Sequence, residues 1–232
     1  MVVQQAVYEL DDEVIEMLDV DSDVLNQPIS EAEVRAAVSK LKTGKACGLD
    51  NILAEMSKLG GCKISMFLVT YFSNLFDKGI YPRGWANATI VPIHKKRNID
   101  LPDNYSGVSL LSIITKYHTS SLNKRLYTWL EHNNKIAEEQ AGFRKNYSTI
   151  DHVFVLNAII QKHLKKRGAK MYVAFVDFRN AFNPVRHCKL LETLQKEGVF
   201  GKFAGATKAT YNSLLSCGVK TEYTHFLNVQ MR

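Results

Sequence analysis

The sequence of 232 residues contains few cysteines and no long apolar run. Successive cysteines are 15, 126 and 29 residues apart, so no CxxC pair is present for a zinc site, and a disulfide framework is not expected. The four are Cys47, Cys62, Cys188 and Cys217. No apolar run approaches the roughly 18 residues of a membrane span, and Met1–Leu10 lacks the basic-then-apolar order of a signal peptide. These absences predict an intracellular protein, cytoplasmic or nuclear and not secreted.

The overall composition is that of a globular protein with a surplus of positive charge. Hydrophobic residues make up 46% and charged residues 23%, which excludes disorder throughout the chain. Thirty Lys and Arg residues against 23 Asp and Glu residues give a net charge of +7. This surplus favours a polyanionic partner, with nucleic acid ahead of an anionic membrane.

The charge is distributed unevenly along the chain. The first 25 residues carry most of their charge as Asp and Glu, which predicts an acidic, loosely docked leader (1–25) followed by one larger region (26–232). Ser30 and Glu33 have capping-box spacing and predict a helix from about Glu31 to Lys42.

Helical periodicity recurs through the rest of the chain, and two segments have the pattern of strands. The segment CKISMFLVTYFSNLFDKG predicts a core helix with a broad apolar face. Alternation from Ala88 to Ile93 predicts a strand that leads into a basic loop, and LPDNY predicts a turn. The apolar run KMYVAFVDF predicts a buried central strand that ends at Asp177. Further helices are predicted in SLLSIITKYHTSSLNKRLYTWLEHN and HVFVLNAIIQKHL, and over about Arg186–Glu197 and Lys202–Leu215.

The segment FVDFRNAF has the most specific chemical pattern. A carboxylate at the end of a buried strand is held rigidly, which suits a hard divalent cation that needs oxygen ligands. A strand-terminal aspartate is also often a simple cap for the turn that follows, so both interpretations of Asp177 remain open. Asp50, Asp100, Asp103 and Asp151 lie singly in predicted turns or helix starts, where capping is the better explanation.

Two basic segments are candidates for phosphate contacts. Lys95, Lys96 and Arg97 follow the predicted strand, where they can hold a triphosphate or a nucleic-acid backbone, although a basic triplet is also common on any solvated surface. The run KKRGAK at Lys165–Lys170 is better explained as a helix C-terminus favoured by the macrodipole, and no specific role is assigned to it.

The segment EEQAGFRKNYST places an aromatic residue and two cations around a glycine. Gly142 permits close approach of a backbone, Phe143 can stack on a base, and the cations Arg144 and Lys145 can hold its phosphate. A core phenylalanine beside surface cations is the alternative.

Taken in order, these segments resemble the reverse transcriptase of non-LTR (LINE-type) retrotransposons. The resemblance runs from about Asn26 to about Gly218. The segments that carry it are ISEAEVRAAVSKLKTGKACGLDNILAEMSK, YPRGWANATIVPIHKK, PDNYSGVSLLSIITKY, NKRLYTWLEHNNKIAEEQAGFRKNYSTIDHVFVLNAIIQKHL and YVAFVDFRNAF. Their order is far more specific than any one of them.

The resemblance implies an α+β fold of the right-hand polymerase type, of which this chain would supply the fingers and the first part of the palm, rich in helices. It also implies nucleotidyl transfer on an RNA or DNA template–primer with two Mg²⁺ ions. Asp177 matches the first metal-binding aspartate, with the carbonyl of Phe178 as its companion ligand. Phe182 matches the aromatic residue under the incoming sugar, and Ala181 belongs to the same nucleotide-binding group. Lys95 and Lys96 match the stretch that approaches the triphosphate, and Gln140 to Lys145, together with Arg97, are assigned to nucleic-acid contact.

The sequence departs from the family pattern at three places. Ser106 stands where the family has a substrate-holding arginine, and Asn183 and Pro184 stand where it usually has an aspartate after AF. The sequence ends at Arg232, before the glycine- and glutamine-bearing helix start and the hairpin with two adjacent aspartates. The expectation is therefore a truncated domain that is inactive by itself.

Two alternatives remain open at this point. Instead of a truncated reverse transcriptase, the chain would be a non-catalytic RNA- or DNA-binding module or a translated remnant without function. In addition, the edge of YVAFVDF is expected to recruit a partner or a second copy.

Overall fold

The structure is a computed structural model that describes residues 24–95, 98–101, 104–178, 181–182 and 185–214. It is mixed α and β, as expected. The helices are α1 (Glu31–Lys40), α2 (Ala54–Leu59), α3 (Gly61–Lys78), α4 (Ile113–His132), α5 (Thr149–Leu164), α6 (His187–Lys196) and α7 (Gly201–Leu214), with a 3₁₀ turn at Arg83–Ala86. The strands are β1 (Thr89–His94) and β2 (Tyr105–Leu110). The chain divides into two units, the second of which is Leu130–Arg186.

The first unit has its core around α3, which packs against α1, α2 and α7. Phe72 and Phe76 of the predicted apolar face are buried, whereas Met66 and Phe67 of that face are 64% and 67% exposed; Leu68, which is buried as well, was not assigned to it. Phe72 packs edge-on against Trp85 and His118, at centroid distances of 6.1 and 5.2 Å. Edge-on ring contacts of this kind add to the stabilisation that burial of the rings gives.

The capping box at the start of α1 forms as predicted, and it also belongs to a larger network. The Ser30 hydroxyl accepts a hydrogen bond from the Glu33 backbone N–H at 3.3 Å, and the Ser30 backbone N–H donates to the Glu33 carboxylate at 2.8 Å. Arg125 on α4 donates two further hydrogen bonds to this carboxylate, at 2.8 and 2.7 Å. Burial alone would raise the pKa of Glu33, but the hydrogen bonds from Arg125 and Ser30 outweigh it and lower the pKa.

The same guanidinium anchors the chain that precedes α1. Arg125 donates to the backbone carbonyls of Leu25, Gln27 and Pro28 and lies 5.4 Å from the centre of the Phe76 ring. Leu25, which the sequence assigned to the acidic leader, is fully buried. The rest of that predicted leader, except Val24, lies outside the described residues.

The two strands form an antiparallel hairpin. The predicted strand after Ala88 is confirmed as β1, whereas β2 was not predicted. In the register, Thr89 pairs with Leu110 and His94 pairs with Tyr105. Gly107 lies opposite Pro92, and a Cβ at this position would come within 2.9 Å of the Ile90 side chain, so β2 needs a glycine there.

The predicted buried strand at KMYVAFVDF is wrong. Residues 171–178 form no regular element, and Tyr172, Phe175 and Phe178 are 89%, 84% and 75% exposed. A strand exists only when a neighbour accepts and donates its backbone hydrogen bonds, and within the described residues no strand pairs with this one. Apolar and β-branched composition alone was therefore not enough to predict a strand here.

The remaining helix predictions are confirmed within a few residues of their ends, as α4, α5, α6 and α7. A run of apolar residues long enough to cross a membrane is found in no helix of the described part of the chain. The predicted single region 26–232 stays a prediction.

Candidate nucleotide and template sites

The end of the hairpin presents the first basic site. Lys95 follows β1, its side chain is exposed, and its backbone N–H donates to the carbonyl of Asn104 at 2.6 Å. The Asn104 amide in turn donates to the carbonyl of Asn98 at 2.7 Å, so the described parts of the connecting loop are held together at its base. Lys96 and Arg97, predicted with Lys95 as phosphate contacts, lie outside the described residues.

Ser106 lies on β2 opposite Ile93, beside this loop. At this position the resemblance leads one to expect an arginine, which forms bidentate hydrogen bonds with phosphate oxygens. A serine supplies no charge. Of the three cations predicted to contact phosphate at the hairpin, Lys95 is the one that lies within the described residues.

The second site is the turn that joins α4 to α5, in the unit Leu130–Arg186. Its backbone is tightly bent, with left-handed φ angles of 63° at Phe143 and 68° at Asn146. Gly142 does not have such an angle, and a Cβ there would meet no atom within 4 Å. The structure thus shows no need for glycine at Gly142. It is Phe143 that adopts the left-handed conformation, which is unfavourable for a residue with a side chain, and its ring is 87% exposed.

Arg144 holds this turn in place from the inside. Its guanidinium donates to both carboxylate oxygens of Glu131, at 2.9 and 2.8 Å, and to the carbonyl of Ala137 at 3.1 Å. It also lies 4.3 Å from the centre of the Tyr147 ring, and its side chain is 9% exposed. The structure gives Arg144 a role in ordering the turn, whereas its predicted contact with nucleic acid stays a prediction.

The remaining polar members of this site are at the surface. The Gln140 amide donates to the carbonyl of Gly142 at 3.3 Å, which stabilises the turn, and Lys145 is exposed. Gln140, Phe143 and Lys145 are thus all exposed in this turn, and the base-stacking site assigned to them stays a prediction.

The structure brings together two residues that the sequence assigned to different roles. Phe143, predicted to contact template, and Phe182, predicted to lie under the incoming sugar, have ring centres 6.1 Å apart in an edge-to-face arrangement. Phe182 is 75% exposed, and the neighbouring Ala181 is exposed as well. The pair forms an aromatic surface open to solvent.

Asp177 and Phe178 do not have the rigid setting that was expected. Both are exposed on the irregular segment 171–178, so Asp177 is not fixed at the end of a buried strand. Within the described ranges, no three His, Cys, Asp or Glu side chains lie close enough to bind a metal ion together. A pair of divalent ions needs several carboxylate oxygens. The described residues therefore do not fit a two-metal centre.

Two other single aspartates have the structural role predicted for them. Asp151 accepts hydrogen bonds from the backbone and side chain of Ser148, which completes a capping box for α5 and lowers the Asp151 pKa. Asp50 accepts from the backbone N–H of Ile52 at 3.2 Å and from the hydroxyl of Ser112 at 2.5 Å. Such caps need no ligand.

The sequence analysis missed one buried polar residue. His118 on α4 is 2% exposed and lies among aromatic rings, and no described residue forms a hydrogen bond with either ring nitrogen. Burial lowers its pKa to about 4. No local pattern distinguishes this histidine from a surface one.

Comparison with known proteins identifies the class to which this chain belongs. Residues 93–230, more than half of the chain, match the family model "Reverse transcriptase (RNA-dependent DNA polymerase)". The chain belongs to the reverse transcriptase family. This match includes the hairpin loop, the turn at Phe143 and Asp177.

Three of its relatives are proteins of mobile elements of Drosophila melanogaster. The chain is 27% identical over 173 residues to "Probable RNA-directed DNA polymerase from transposon BS", which covers 73% of this chain and 19% of the relative. It is 31% identical over 163 residues to "RNA-directed DNA polymerase from mobile element jockey", covering 68% of this chain and 17% of that protein. A third, "Probable RNA-directed DNA polymerase from transposon X-element", is 26% identical over 189 residues, with coverages of 80% and 20%.

These relatives confirm the predicted resemblance to non-LTR retrotransposon reverse transcriptases. The chain spans at most about a fifth of their length. Reverse transcriptases generally use Mg²⁺.

Proposed function

We propose that this chain supplies the fingers and the first part of the palm of an RNA-directed DNA polymerase, where it contacts nucleotide and template. The observation that carries the proposal is the exposed pair Phe143–Phe182, since two residues assigned to template and nucleotide from separate segments are in contact. Exposed aromatic rings of this kind stack on bases and sugars. Family membership supports the right-hand fold that the proposal assumes.

The hairpin is the second part of the proposal. Lys95 is exposed next to a loop whose sequence continues with two more cations. Cations at the end of a hairpin can reach phosphates as point charges. Because Ser106 adds no charge, we expect weaker nucleotide binding than an arginine at that position would give.

Catalysis requires more acidic ligands than the described residues provide. Asp177 and the carbonyl of Phe178 would form one side of a Mg²⁺ site, and after Asp177 the sequence contains no further aspartate. We expect no primer extension by the purified chain with Mg²⁺. Template-dependent product that disappears in Asp177→Asn would contradict this expectation.

A binding test addresses the proposal itself. Binding of the purified chain to a labelled RNA primer–template is measured over a series of salt concentrations. Lys95→Ala should reduce the salt dependence of log Kd by roughly 0.7 to 0.9, the contribution of one phosphate contact. Phe143→Ala should weaken binding about fivefold or more through lost stacking.

The matched control is Lys63→Ala, which removes the same charge from an exposed position on α3. If Lys95→Ala and Phe143→Ala behave like this control, the proposed contacts are wrong. If the wild-type chain binds no primer–template at any salt concentration, the alternative of a chain without function is the better interpretation.

The segment 171–178 supports the predicted association with a partner chain or second copy. Its backbone is unpaired within the described residues, and Phe175 and Val176 are 84% and 76% exposed. The unpaired N–H and C=O groups of an apolar segment can pair with the backbone of a second chain. Light scattering should show a mass that rises with protein concentration, and Val176→Lys should return the chain to a monomer. A concentration-independent monomer would contradict this prediction.

A further inference from the structure

The second unit carries a basic patch that the hairpin and aromatic sites do not include. The basic patch consists of Lys162, Lys165, Lys166, Arg167 and Lys170, and all of these side chains are exposed. The sequence contains no acidic residue between Asp151 and Asp177. Within the described part of the chain, none of the five cations forms an ion pair.

A turn concentrates the patch in space. Helix α5 ends at Leu164, and the N–H of Ala169 donates to the carbonyl of Lys166 at 3.0 Å. Gly168, with a φ of 81°, permits this reversal. A closed turn keeps its first and last residues close together. The turn therefore holds Ala169, the residue before Lys170, close to Lys166.

The helix macrodipole does not account for so much charge. A helix C-terminus carries the equivalent of about half a negative elementary charge. One or two lysines are enough to neutralise this partial charge, and Lys162 already lies in the last turn of α5. Five cations leave a large positive surplus that repels itself and attracts polyanions.

An aromatic residue follows the patch. Tyr172 is two residues beyond Lys170 and is 89% exposed, so its ring is free to meet a ligand on most of its surface. Cations that bind phosphates, together with an exposed ring that stacks on a base, are typical of sites for single-stranded nucleic acid. Duplexes offer no unpaired bases for such a ring.

We propose that the basic patch and Tyr172 form a binding site for single-stranded RNA, separate in sequence from the hairpin and from the turn at Phe143. The choice of RNA rests on the proposed function, since an RNA-directed polymerase must hold a template strand. The site recognises phosphates and any base face, so it has no sequence preference.

The test uses the full 232-residue chain and a labelled single-stranded RNA of mixed sequence. The triple variant Lys165→Gln, Lys166→Gln, Arg167→Gln should reduce the salt dependence of log Kd by about 2 and weaken binding about tenfold or more near 0.1 M salt. The control variant Lys63→Gln, Lys78→Gln, Lys208→Gln removes the same net charge from exposed helix positions. The control should change the salt dependence of log Kd and the affinity for RNA much less.

Tyr172 is tested separately. Tyr172→Ala should weaken RNA binding about fivefold or more, while Tyr172→Phe, which keeps the stacking ring, should bind like the wild type. A thermal melt of each variant is the control for folding. Equal losses in Tyr172→Ala and Tyr172→Phe would contradict a stacking role.

The outcomes separate this inference from the proposed function. If the patch variant binds RNA like its control while Lys95→Ala weakens primer–template binding, the RNA site is wrong and the proposed function stands. If only the patch variant weakens binding, the RNA site stands and the hairpin contact is wrong. Loss of binding to phosphatidylserine vesicles without loss of RNA binding would overturn the inference in favour of a membrane surface.

Discussion

The two units differ in what they do with apolar helices. Helix α3 of the first unit buries Leu68, Phe72 and Phe76. Helix α5 of the second unit has no buried residue, and Ile150 and Phe154 are 76% and 72% exposed. Both segments have helical sequences rich in apolar residues. We infer that an apolar helix becomes part of a core only where other elements supply a complementary face.

The units also use their Arg–Glu pairs differently. Arg125 in the first unit binds Glu33 from a helix far away in the sequence, while Arg144 in the second binds Glu131 only 13 residues earlier. The first pair ties together long stretches of chain, and the second shapes one turn. We therefore expect stability to be concentrated in the first unit.

The largest expected effect is that of Phe72→Ala, compared with Phe154→Ala. Truncation of the fully buried Phe72 should lower the free energy of unfolding by about 3–5 kcal/mol through lost burial and the cavity that remains. Phe154→Ala should change it by less than about 0.5 kcal/mol. Urea unfolding measures both. Equal losses would show that α5 is packed as tightly as α3, which would contradict the difference between the two units.

Arg125→Ala should lower the free energy of unfolding by about 3–5 kcal/mol as well, because it leaves Glu33 partly buried without its cation and three carbonyls without their donor. The control is Arg35→Ala, which breaks an exposed pair with Glu31 on one helix face and should cost less than about 0.5 kcal/mol. A similar small loss in both variants would contradict the anchoring role of Arg125.

His118 should make the stability of the first unit depend on pH. Its pKa is about 4 in the folded chain and near 6.5 when exposed, so the unfolded chain takes up this proton more readily. Its contribution is fully present above pH 6.5 and declines as the pH falls towards 4, by about 3 kcal/mol in all. The lowered pKa of Glu33 acts only at lower pH, below its ordinary value of 4.5.

The measurement for His118 is the free energy of unfolding between pH 7 and pH 4, for the wild type and for His118→Leu. The variant should lose most of the decline over this range, because leucine has no proton to gain. An unchanged pH dependence in the variant would assign the decline to other groups.

The smallest effect concerns the turn of the second unit. Arg144→Ala removes charge-assisted hydrogen bonds to Glu131 and should lower the local stability by about 1–3 kcal/mol. Hydrogen exchange of the amides between α4 and α5 measures this. Phe143→Ala should leave that exchange unchanged, since the Phe143 ring is exposed and Arg144 keeps its hydrogen bonds to Glu131. Faster exchange in Phe143→Ala than in Arg144→Ala would contradict this assignment.

Local patterns were sufficient for much of this fold. The capping box of Ser30 and Glu33, the helical periods and the alternation before Lys95 predicted α1, α3 to α7 and β1, because a helix satisfies its own backbone hydrogen bonds. Strand β2 was missed since Ser106, Gly107 and Ser109 give it little strand character, and its pairing with β1 decides its conformation.

The candidate site was only partly predictable. The sequence picked out Phe143 and Phe182 by the segments in which they lie, but it could not indicate that their rings meet. It assigned Arg144 to a phosphate, but it could not indicate that Arg144 also pairs with Glu131. Partners of this kind are set by which surfaces fold together.

The sequence alone was enough for six of the seven described α-helices, the first strand, the positive surplus and the family, since each depends on residue order or on neighbours within a few positions. Only the tertiary structure decided that KMYVAFVDF is exposed, that His118 is buried and that Arg125 joins α1 to α4. Burial and strand pairing depend on partners distant in the chain, and no local pattern contains that information.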